Sequence, residues 1–402
     1  MSSLKYWVWL ANLSGLSAAT SGKLLEHFGT AENIFNASDK DFFGVTDLRT
    51  RKPISPNRQS FDDTNKILAT CAQKQFQIIT IHDKEYPERL KNIYDPPMVI
   101  YVQGTLPDID EEPIVSIVGT RRCTPYGVKA TESIALALAE RGIIVATGLA
   151  LGIDTAAAYG ALRGNGVTIG VIGSGLDVIY PPSNKKLFEQ VAHRGAVVSE
   201  YPPGTPPLTH HFPARNRIIS GFSLGVTVIE APQRSGALIT AERAMEQGRD
   251  VFVLPGNVDE VACVGSNLLL RDGAIPILSA DDIISEYDQL YSDKIIGKEE
   301  RSEKKNKKET KSKQMVGDSV DYTKNIDNNM QMHYIDLSKM LDLLSGDEKI
   351  VANAIGCDTM HIDDIITKTN LPTNQVLTAL TMLEINGSAI CEGSKYFRLK
   401  QA

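Results

Sequence analysis

The stretch IVSIVGTRR, at residues 114–122, joins a mostly apolar run to a loop with one glycine and two arginines. An apolar run of this length, ended by a glycine, is typical of a strand buried on both faces of a sheet. Similar runs follow at residues 143–146, 167–172, 196–199, 226–229, 251–254 and 275–278, with segments of helical length such as 128–141 and 237–247 between them. This alternation predicts an α/β fold with a doubly wound parallel sheet.

The region before the sheet has a different pattern. Residues 1–75 show helical spacing, which predicts a small N-terminal helical domain of helix-hairpin-helix (SAM-like) type, and the sheet domain is expected to span residues 76–289. The turn LSGL at residues 13–16 is followed by Ser17, where a hairpin that binds DNA usually has a second glycine. We therefore expect this turn to serve packing rather than DNA binding.

The region after the sheet predicts a linker and a further domain. Residues 290–335 lose hydrophobic periodicity, and the lysine-rich part at 298–313 is typical of a flexible linker. Residues 336–402 resemble a winged helix, with helices expected at 347–355, 361–368 and 373–385 and a hairpin near 392–394. The recognition helix at 372–385 has no Lys or Arg and contains Glu384. Since DNA-docking helices present basic or amide side chains, a protein-contact or structural role is expected here.

Composition limits the class of protein. The chain has 402 residues, enough for two or three domains, and a formal net charge of −7, so any nucleic-acid surface must be a local basic patch on an acidic body. Five cysteines without a CxxC pair suit free thiols in a reducing cytosol. The apolar start at residues 6–10 is unlike a signal peptide, and no apolar run is long enough for a bilayer. We therefore expect a cytoplasmic protein.

Four loops that follow predicted strands are rich in glycine and small polar residues, at 119–122, 147–154, 173–176 and 233–237. Ligands of such sheets bind beyond the carboxyl ends of the strands, so the loops should converge on one edge. Glycines let backbone amides approach an anion, and each loop leads toward a helix N-terminus. The glycine content of any single loop is explained by a tight turn after a buried strand. Four of them together with nearby arginines favour a phosphate-binding groove.

A further arginine-bearing stretch is HHFPARNRIISG, at residues 210–221. Proline is favoured at the first helical position, which predicts a helix start near Pro213. Arg215 and Arg217 would then oppose the positive end of the helix dipole unless an anion is bound. The alternative is that both guanidiniums only pair with nearby carboxylates. The adjacent His210 and His211 are expected to contact phosphate or to pack the loop, rather than act as a general base.

Several catalytic classes lack their motifs. The chain contains no GxxxxGK[ST], and GSG at 173–175 lacks the third glycine of the dinucleotide fingerprint. It also contains no GxSxG or HExxH, and its seven histidines form no ligand-spaced cluster. We therefore expect no cofactor, no metal and no catalytic residue.

Taken together, the motifs at residues 119–121, 148–157, 173–177, 199–201, 212–219, 235–240 and 255–257 resemble the DNA-processing protein A (DprA/Smf) family. The resemblance implies an extended Rossmann-like core that binds single-stranded DNA, protects incoming strands in natural transformation and helps load the RecA recombinase. It also implies a homodimer without catalytic turnover, with single-strand-binding protein as a further partner. The family's basic positions correspond here to Arg121, to Arg215-Asn216-Arg217 and, less directly, to Lys185 or Lys186. The full set of candidate nucleic-acid-binding residues is Gly119, Thr120, Arg121, Gly148, Gly152, Lys185, Lys186, Arg215, Asn216, Arg217, Arg234, Ser235 and Gly236.

Two rival interpretations come from other classes. One is an enzyme, a nucleoside-monophosphate phosphoribohydrolase of the lysine-decarboxylase-like group, whose glycine-rich turn and glutamate are partly matched by SGALITAE at 235–242. The double glycine that precedes that turn in the group is missing. The other is a transcription regulator that binds DNA through the winged helix, which the lack of cations at 372–385 disfavours.

Overall fold

All seven apolar runs form strands, and these strands belong to one sheet of nine strands. The computed structural model describes residues 2–13, 16, 18–38, 40–42, 61–296, 346–355, 360–369, 371–385, 389–392 and 396–399. The strands of this sheet are β1 (Gln77–Thr80), β2 (Val99–Gly104), β3 (Ile114–Val118), β4 (Ile144–Thr147), β5 (Thr168–Ile172), β6 (Ala196–Ser199), β7 (Gly225–Val228), β8 (Asp250–Val253) and β9 (Ile275–Pro276). Their order is β1-β2-β6-β5-β4-β3-β7-β8-β9. Strands β3 to β9 are parallel, which confirms the predicted doubly wound core.

The two strands that the sequence patterns did not single out lie at one edge of the sheet. Strand β1 is antiparallel to β2, and β2 is antiparallel to β6, so the sheet is mixed. Antiparallel edge strands are common on otherwise parallel sheets. Because Tyr101 pairs with Ser199, the segment before β2 lies at the carboxyl edge of the parallel strands. The segment after β1 lies at the same edge, since β1 runs in the direction of β6.

Helices cover both faces of the sheet. They are α1 (Ser2–Ala11), α2 (Ala18–Phe28), α3 (Ala31–Asn36), α4 (Asp62–Lys74), α5 (Glu88–Lys91), α6 (Pro125–Glu140), α7 (Ile153–Arg163), α8 (Lys185–Arg194), α9 (His211–Phe222), α10 (Gly236–Glu246), α11 (Val264–Arg271) and α12 (Ala280–Tyr287). Phe222 of α9 packs with Val226 in one buried cluster, and Leu138 of α6 packs with Ile117 in another. Burial on both faces explains why these strands appear in the sequence as continuous apolar runs.

The N-terminal helices share a hydrophobic core with the sheet. Trp9 and Leu24 belong to the same buried cluster as Tyr101 of β2 and Leu149. Residues 1–308 accordingly form one compact unit, so the helices expected at 1–75 pack directly on the sheet. Ser14, Gly15 and Ser17 of the expected hairpin turn lie outside the described residues.

The first residues of the expected linker also belong to this unit. Lys294 Nζ lies 2.8 Å from Glu112 Oε1, and Ile295 is buried. The amide of Ile296 donates to the carbonyl of Arg141 at 2.9 Å. The packed chain thus reaches residue 296, beyond the expected linker start at 290, because an ion pair and an apolar side chain hold it. The rest of the linker, residues 297–335, lies outside the described residues.

The described residues after position 308 belong to a second compact unit. Its described elements are α13 (Gly346–Ile355), α14 (Ile362–Thr369), α15 (Thr373–Ile385), β10 (Met360–His361), β11 (Ala389–Glu392) and β12 (Tyr396–Leu399), with strand order β10-β12-β11. Val351, Ile365 and Leu380 are fully or almost fully buried in its core. The three helices and following strand pair confirm the winged-helix prediction, while residues 393 and 394 of the expected hairpin lie outside the described residues.

Three cysteines in the described ranges, Cys71, Cys123 and Cys263, are free thiols. Among the described residues, no group of three or more His, Cys, Asp or Glu side chains could hold a metal ion. In that same part of the chain, the helices are too short or too polar to span a membrane.

Candidate nucleic-acid interface

A cleft of about 520 Å³ opens at the carboxyl edge of the sheet. From β3 the chain proceeds outward through β4, β5 and β6, and then returns to the other side of β3 with β7. The reversal between β3 and β7 is a topological switch point, where ligands of open α/β sheets bind. The loops after these two strands line the cleft with residues 119–122, Pro232 and residues 234–237. The other lining residues include Ala150, Asp154, Tyr180, Pro207, Thr209, Phe212, Pro213, Arg215, Asn216, Ile219 and Thr240.

Three arginines at the cleft are exposed. Arg121 and Arg122 follow β3, and Arg234 follows β7. In the described part of the chain, none of the three takes part in an ion pair. Thr120 beside them is buried, and its hydroxyl accepts from the amide of Arg122 at 3.2 Å. The cleft therefore presents guanidinium charge that the protein itself does not neutralise. Of these cations, sequence reasoning singled out Arg121 and Arg234 but not Arg122.

Aromatic rings adjoin the arginines. The guanidinium carbon of Arg121 lies 5.3 Å from the ring centre of Phe212, within the range of a cation–π contact. The Phe212 ring centre lies 5.6 Å from that of Tyr180, which is 40% exposed. Neither ring was singled out from the sequence as a binding residue. The signal that was available is position, since Tyr180 follows the third glycine loop and Phe212 precedes the Arg-Asn-Arg stretch.

The start of α10 forms the second wall of the cleft. Ser235 caps this helix by accepting from the amide of Ala237 at 3.2 Å, and Gly236 is exposed. Asn216 Nδ2 donates to the carbonyl of Gly236 at 3.1 Å, which holds α9 against this loop. The N-terminus of α10 carries no acidic side chain in its first turn, so its positive end is available to an anion from outside.

Gly148 and Gly152 act through close approach of the backbone rather than at the cleft surface. A Cβ on Gly148 would lie 2.5 Å from Arg215 Nη2 and 2.6 Å from Asp154 Oδ2. Gly152 has φ +78° and a Cβ there would lie 2.5 Å from the carbonyl oxygen of Thr120. Gly119 similarly leaves room for Ile153. These glycines let the loop after β4 pack beneath the loop after β3.

Arg215 lies at the floor of the cleft and is already engaged by the protein. Its side chain is 4% exposed, and Nη1 donates to the carbonyls of Gly148, at 2.9 Å, and Val171. Burial raises the pKa of the neighbouring Asp154 carboxyl, and the Arg215 charge lowers it. Burial likewise lowers the pKa of Arg215 to about 10, which leaves it charged at neutral pH. Its Nη1 is thus engaged by backbone carbonyls, and a phosphate contact of Arg215 stays a prediction.

The structure does not bring Arg217 into the cleft. Its guanidinium donates to both carboxylate oxygens of Glu200, at 2.9 and 2.6 Å, and Nε lies 3.0 Å from Asp95 Oδ2. Burial lowers the pKa of Arg217, but the carboxylates raise it by more, so the charged form is favoured. The geometry matches the alternative interpretation, in which the guanidinium pairs with nearby carboxylates.

The start of α9 explains why the dipole argument does not apply to either arginine. The helix begins at His211, two residues before Pro213, so Arg215 and Arg217 lie in its second turn. The dipole acts mainly within the first turn, and cations in the second are therefore not strongly opposed. His211 stacks on Tyr201 with ring centres 3.8 Å apart, and its Nδ1 lies 3.1 Å from the carbonyl of Gly173. Burial lowers the pKa of His211, consistent with a packing role.

Two other predicted contributors lie outside the cleft lining. The loop at 173–176 is closed by the protein itself, since the amide of Gly175 donates to the carbonyl of Thr205 at 2.9 Å. Lys185 and Lys186 are exposed at the start of α8. Asn184 anchors that start by donating to Thr155 Oγ1 at 2.8 Å. Both lysines follow Tyr180 closely in the chain, so the α8 start adds positive charge next to the cleft rather than in it.

The enzyme interpretation gains no support from the position of its glutamate. Thr240 of α10 lines the cleft, whereas Glu242 is exposed and does not. The carboxylate in the lining is Asp154, which accepts from the amides of Gly148 and Ala150 at 3.1 and 3.4 Å and is buried beside Arg215. Its oxygens are held by the loop that it stabilises.

Comparison with known proteins gives matches over most of the chain. A family model described as DNA recombination-mediator protein A matches residues 77–288, and one described as DprA winged helix domain matches residues 341–390. The DNA processing protein DprA of Streptococcus pneumoniae is 40% identical over 284 residues, covering 70% of this chain and 98% of that protein. Protein Smf of Synechocystis sp. is 40% identical over 288 residues, covering 70% of this chain and 71% of that protein. The X-ray structure of the S. pneumoniae protein has a TM-score of 0.59 at 38% identity and covers 70% of this chain and 97% of its own.

Proposed function

Because this chain belongs to the DNA recombination-mediator protein A family and has a DNA-processing role, we propose that it binds single-stranded DNA. The sequence motifs predicted this family. The proposed binding site is the cleft at the β3/β7 switch point. The observation that carries the proposal is the group of three exposed arginines without an ion pair, Arg121, Arg122 and Arg234, beside the rings of Tyr180 and Phe212, which contact each other at a tilt of 42°. Proteins that bind single strands combine cations for the backbone with aromatic faces for the bases.

The shape of this surface favours a single strand over a duplex. The cleft is built from loops and helix starts at a sheet edge, and it presents no projecting helix or strand pair that could enter a major groove. Base stacking on Tyr180 and Phe212 requires unpaired bases. Guanidinium and amide contacts read phosphate charge and carry little sequence information. We therefore infer binding with weak base preference, confined to a basic cleft on an acidic protein.

A binding titration tests this proposal. Wild type and Arg121→Glu are titrated with single-stranded and duplex oligonucleotides over a salt series. Lys66→Glu is the charge-matched control, since the Lys66 side chain is 76% exposed and does not line the cleft. We expect wild type and Lys66→Glu to prefer the single strand. Arg121→Glu should bind every sequence more weakly and with a salt slope flatter by about one unit. Equal affinity of wild type for the duplex, or an unchanged Arg121→Glu titration, would contradict the proposal.

We further propose that the bound strand is handed to the RecA recombinase and protected during natural transformation. This rests on the family resemblance and on charge: a protein of net charge −7 holds DNA in a local cleft and is poorly suited to coat a long strand. Single-strand-binding protein is the natural competitor on such strands. The test measures RecA filament growth on a strand coated with single-strand-binding protein. Wild type should shorten the lag and Arg121→Glu should not. If the lag of RecA filament growth is the same with and without the protein, the proposed role in RecA loading is contradicted.

A homodimer is proposed as the acting unit, with its contact near the β9 edge of the sheet. Val258, Val261 and Leu278 are 80%, 72% and 83% exposed there, in the loops after β8 and β9. Groups of exposed apolar side chains on a protein surface often mark sites of contact with another protein. Most homo-oligomers form closed two-fold pairs, in which one such surface suffices.

The proposal includes no catalytic turnover. The cleft lining contains one carboxylate, Asp154, and it is engaged by backbone amides. A general acid–base pair poised for substrate is therefore missing from the lining. Incubation with nucleoside monophosphates should release no ribose phosphate, and ATP should not be hydrolysed. Ribose phosphate release that Glu242→Gln abolishes would favour the phosphoribohydrolase interpretation instead.

A further inference from the structure

A second cavity, of about 600 Å³, lies between α2 and the segment before β2. Its most exposed large side chain is Tyr94, which is 85% exposed. Lys23 of α2, Lys91 and His82 also line this cavity, and Glu26 is the one acidic residue in its lining. Lys91 has a carboxylate partner, Glu88, at 2.7 Å, but Lys23 is exposed and has no ion pair among the described residues. An aromatic face beside cations has the composition of a stacking site for an unpaired base.

The sheet topology places this cavity on the same edge as the cleft. Residue 82 follows β1 and residues 92–98 precede β2, and both segments lie at the carboxyl edge of the parallel strands. In the strand order, β2 is separated from β3 by β6, β5 and β4. Four interstrand spacings of about 4.8 Å put the two sites roughly 19 Å apart along the edge. A single strand that leaves the cleft along this edge therefore reaches Tyr94.

Arg217 ties the segment before β2 to the helix that lines the cleft. Its Nε donates to the carbonyl of Asp95 at 2.9 Å, next to Tyr94, while its side chain also holds Glu200 after β6. Four residues along α9 from Arg217, Pro213 lines the cleft. The buried guanidinium thus fixes the position of Tyr94 relative to the cleft without itself meeting solvent.

We propose that Tyr94 and Lys23 form a distal site that stacks one base and meets one phosphate of the strand held in the cleft. This inference rests on the proposed single-strand binding and extends it from one cleft to a path along the sheet edge. The distal site acts only on strands long enough to reach it. The dependence of affinity on strand length therefore distinguishes the distal site from the cleft.

The experiment compares oligothymidylates of about 4 and about 24 nucleotides, which bracket the range of site sizes for single-strand binding folds, about 4–16 nucleotides. Tyr94→Ala should weaken binding of the longer strand about tenfold, the effect of one lost stacking contact, and leave the shorter strand unchanged. Tyr94→Phe keeps the ring and should bind like wild type. Lys23→Glu should flatten the salt slope by about one unit for the longer strand alone.

Two controls keep the outcomes distinct. Leu290→Ala removes a side chain that is 75% exposed and outside both cavities, and it should change neither titration. Arg121→Glu should weaken both strands. Unchanged binding of the longer strand by Tyr94→Ala, with Arg121→Glu impaired, overturns the distal site and leaves the cleft intact. Equal losses for both lengths in Tyr94→Ala also overturn it. If wild type binds neither length, the proposed function itself fails.

Discussion

The guanidinium of Arg217 and the carboxylate of Glu200 form a two-point ion pair, with N–O distances of 2.9 and 2.6 Å. The pair joins α9 to the end of β6, and the Arg217 side chain is 6% exposed against 21% for Glu200. An arginine in this position contributes to the scaffold behind the cleft. We therefore expect Arg217 to affect the proposed DNA binding only indirectly.

Arg217→Ala should lower the free energy of unfolding by about 3 kcal/mol, because it leaves Glu200 partly buried without its partner. Urea denaturation measures this change. The folded fraction should bind single-stranded DNA with the salt slope of wild type, in contrast to Arg121→Glu. A stable Arg217→Ala protein with a flatter slope would instead place Arg217 in contact with phosphate.

Phe212→Ala and Tyr180→Ala should each weaken single-strand binding about tenfold without changing the salt slope. The reason is that a ring contributes stacking, whereas the number of neutralised phosphates sets the slope. Fluorescence titrations at several salt concentrations separate the two effects. Tyr126→Ala is the matched control, since Tyr126 is 55% exposed and does not line the cleft. A flatter slope in Phe212→Ala would mean that the ring acts only by holding Arg121.

Gly148→Ala should destabilise the protein by about 2 kcal/mol, because the new methyl group would overlap Arg215 and Asp154, neither of which has room to move. Gly236→Ala is the control, since a Cβ at Gly236 meets nothing within 4 Å. Thermal denaturation compares the two. If both variants melt like wild type, the close packing beneath the cleft is not a constraint.

Deleting residues 336–402 should leave both the dimer and single-strand binding intact, because the proposed surfaces lie in residues 1–308. Leu278→Asp should instead yield monomers by placing a charge in the proposed apolar contact. Light scattering and oligonucleotide titration test both variants. If the truncated protein is a monomer or no longer binds DNA, the dimer contact or the DNA-binding surface lies in the winged-helix domain instead.

The strands and the main loops could be predicted because their signals are local. A strand buried on both faces needs a continuous apolar run, and β3 at 114–118 shows one directly. Strands β1 and β2 were not singled out, although β2 is buried over most of its length. Their antiparallel pairing at the sheet edge depends on β6, which lies about a hundred residues further along the chain.

The chemical identity of the cleft was likewise predictable in part. The loops at 119–122 and 233–237 were recognised by glycine beside arginine, and the sheet places both at the switch point. The loop at 173–176 has the same composition but is closed by the carbonyl of Thr205. Composition alone does not distinguish a loop that faces a ligand from one that faces another loop.

By itself, the sequence determined the α/β class, the family and the edge of the sheet on which the cleft lies, because apolar periodicity and glycine spacing act over a few residues. The tertiary structure alone decided which arginines are exposed at the cleft. Arg121 is exposed, whereas Arg215 is held by the carbonyl of Gly148, 67 residues away, and Arg217 by Glu200, 17 residues away. Whether a guanidinium meets solvent or an internal acceptor depends on groups that only folding brings within hydrogen-bond distance.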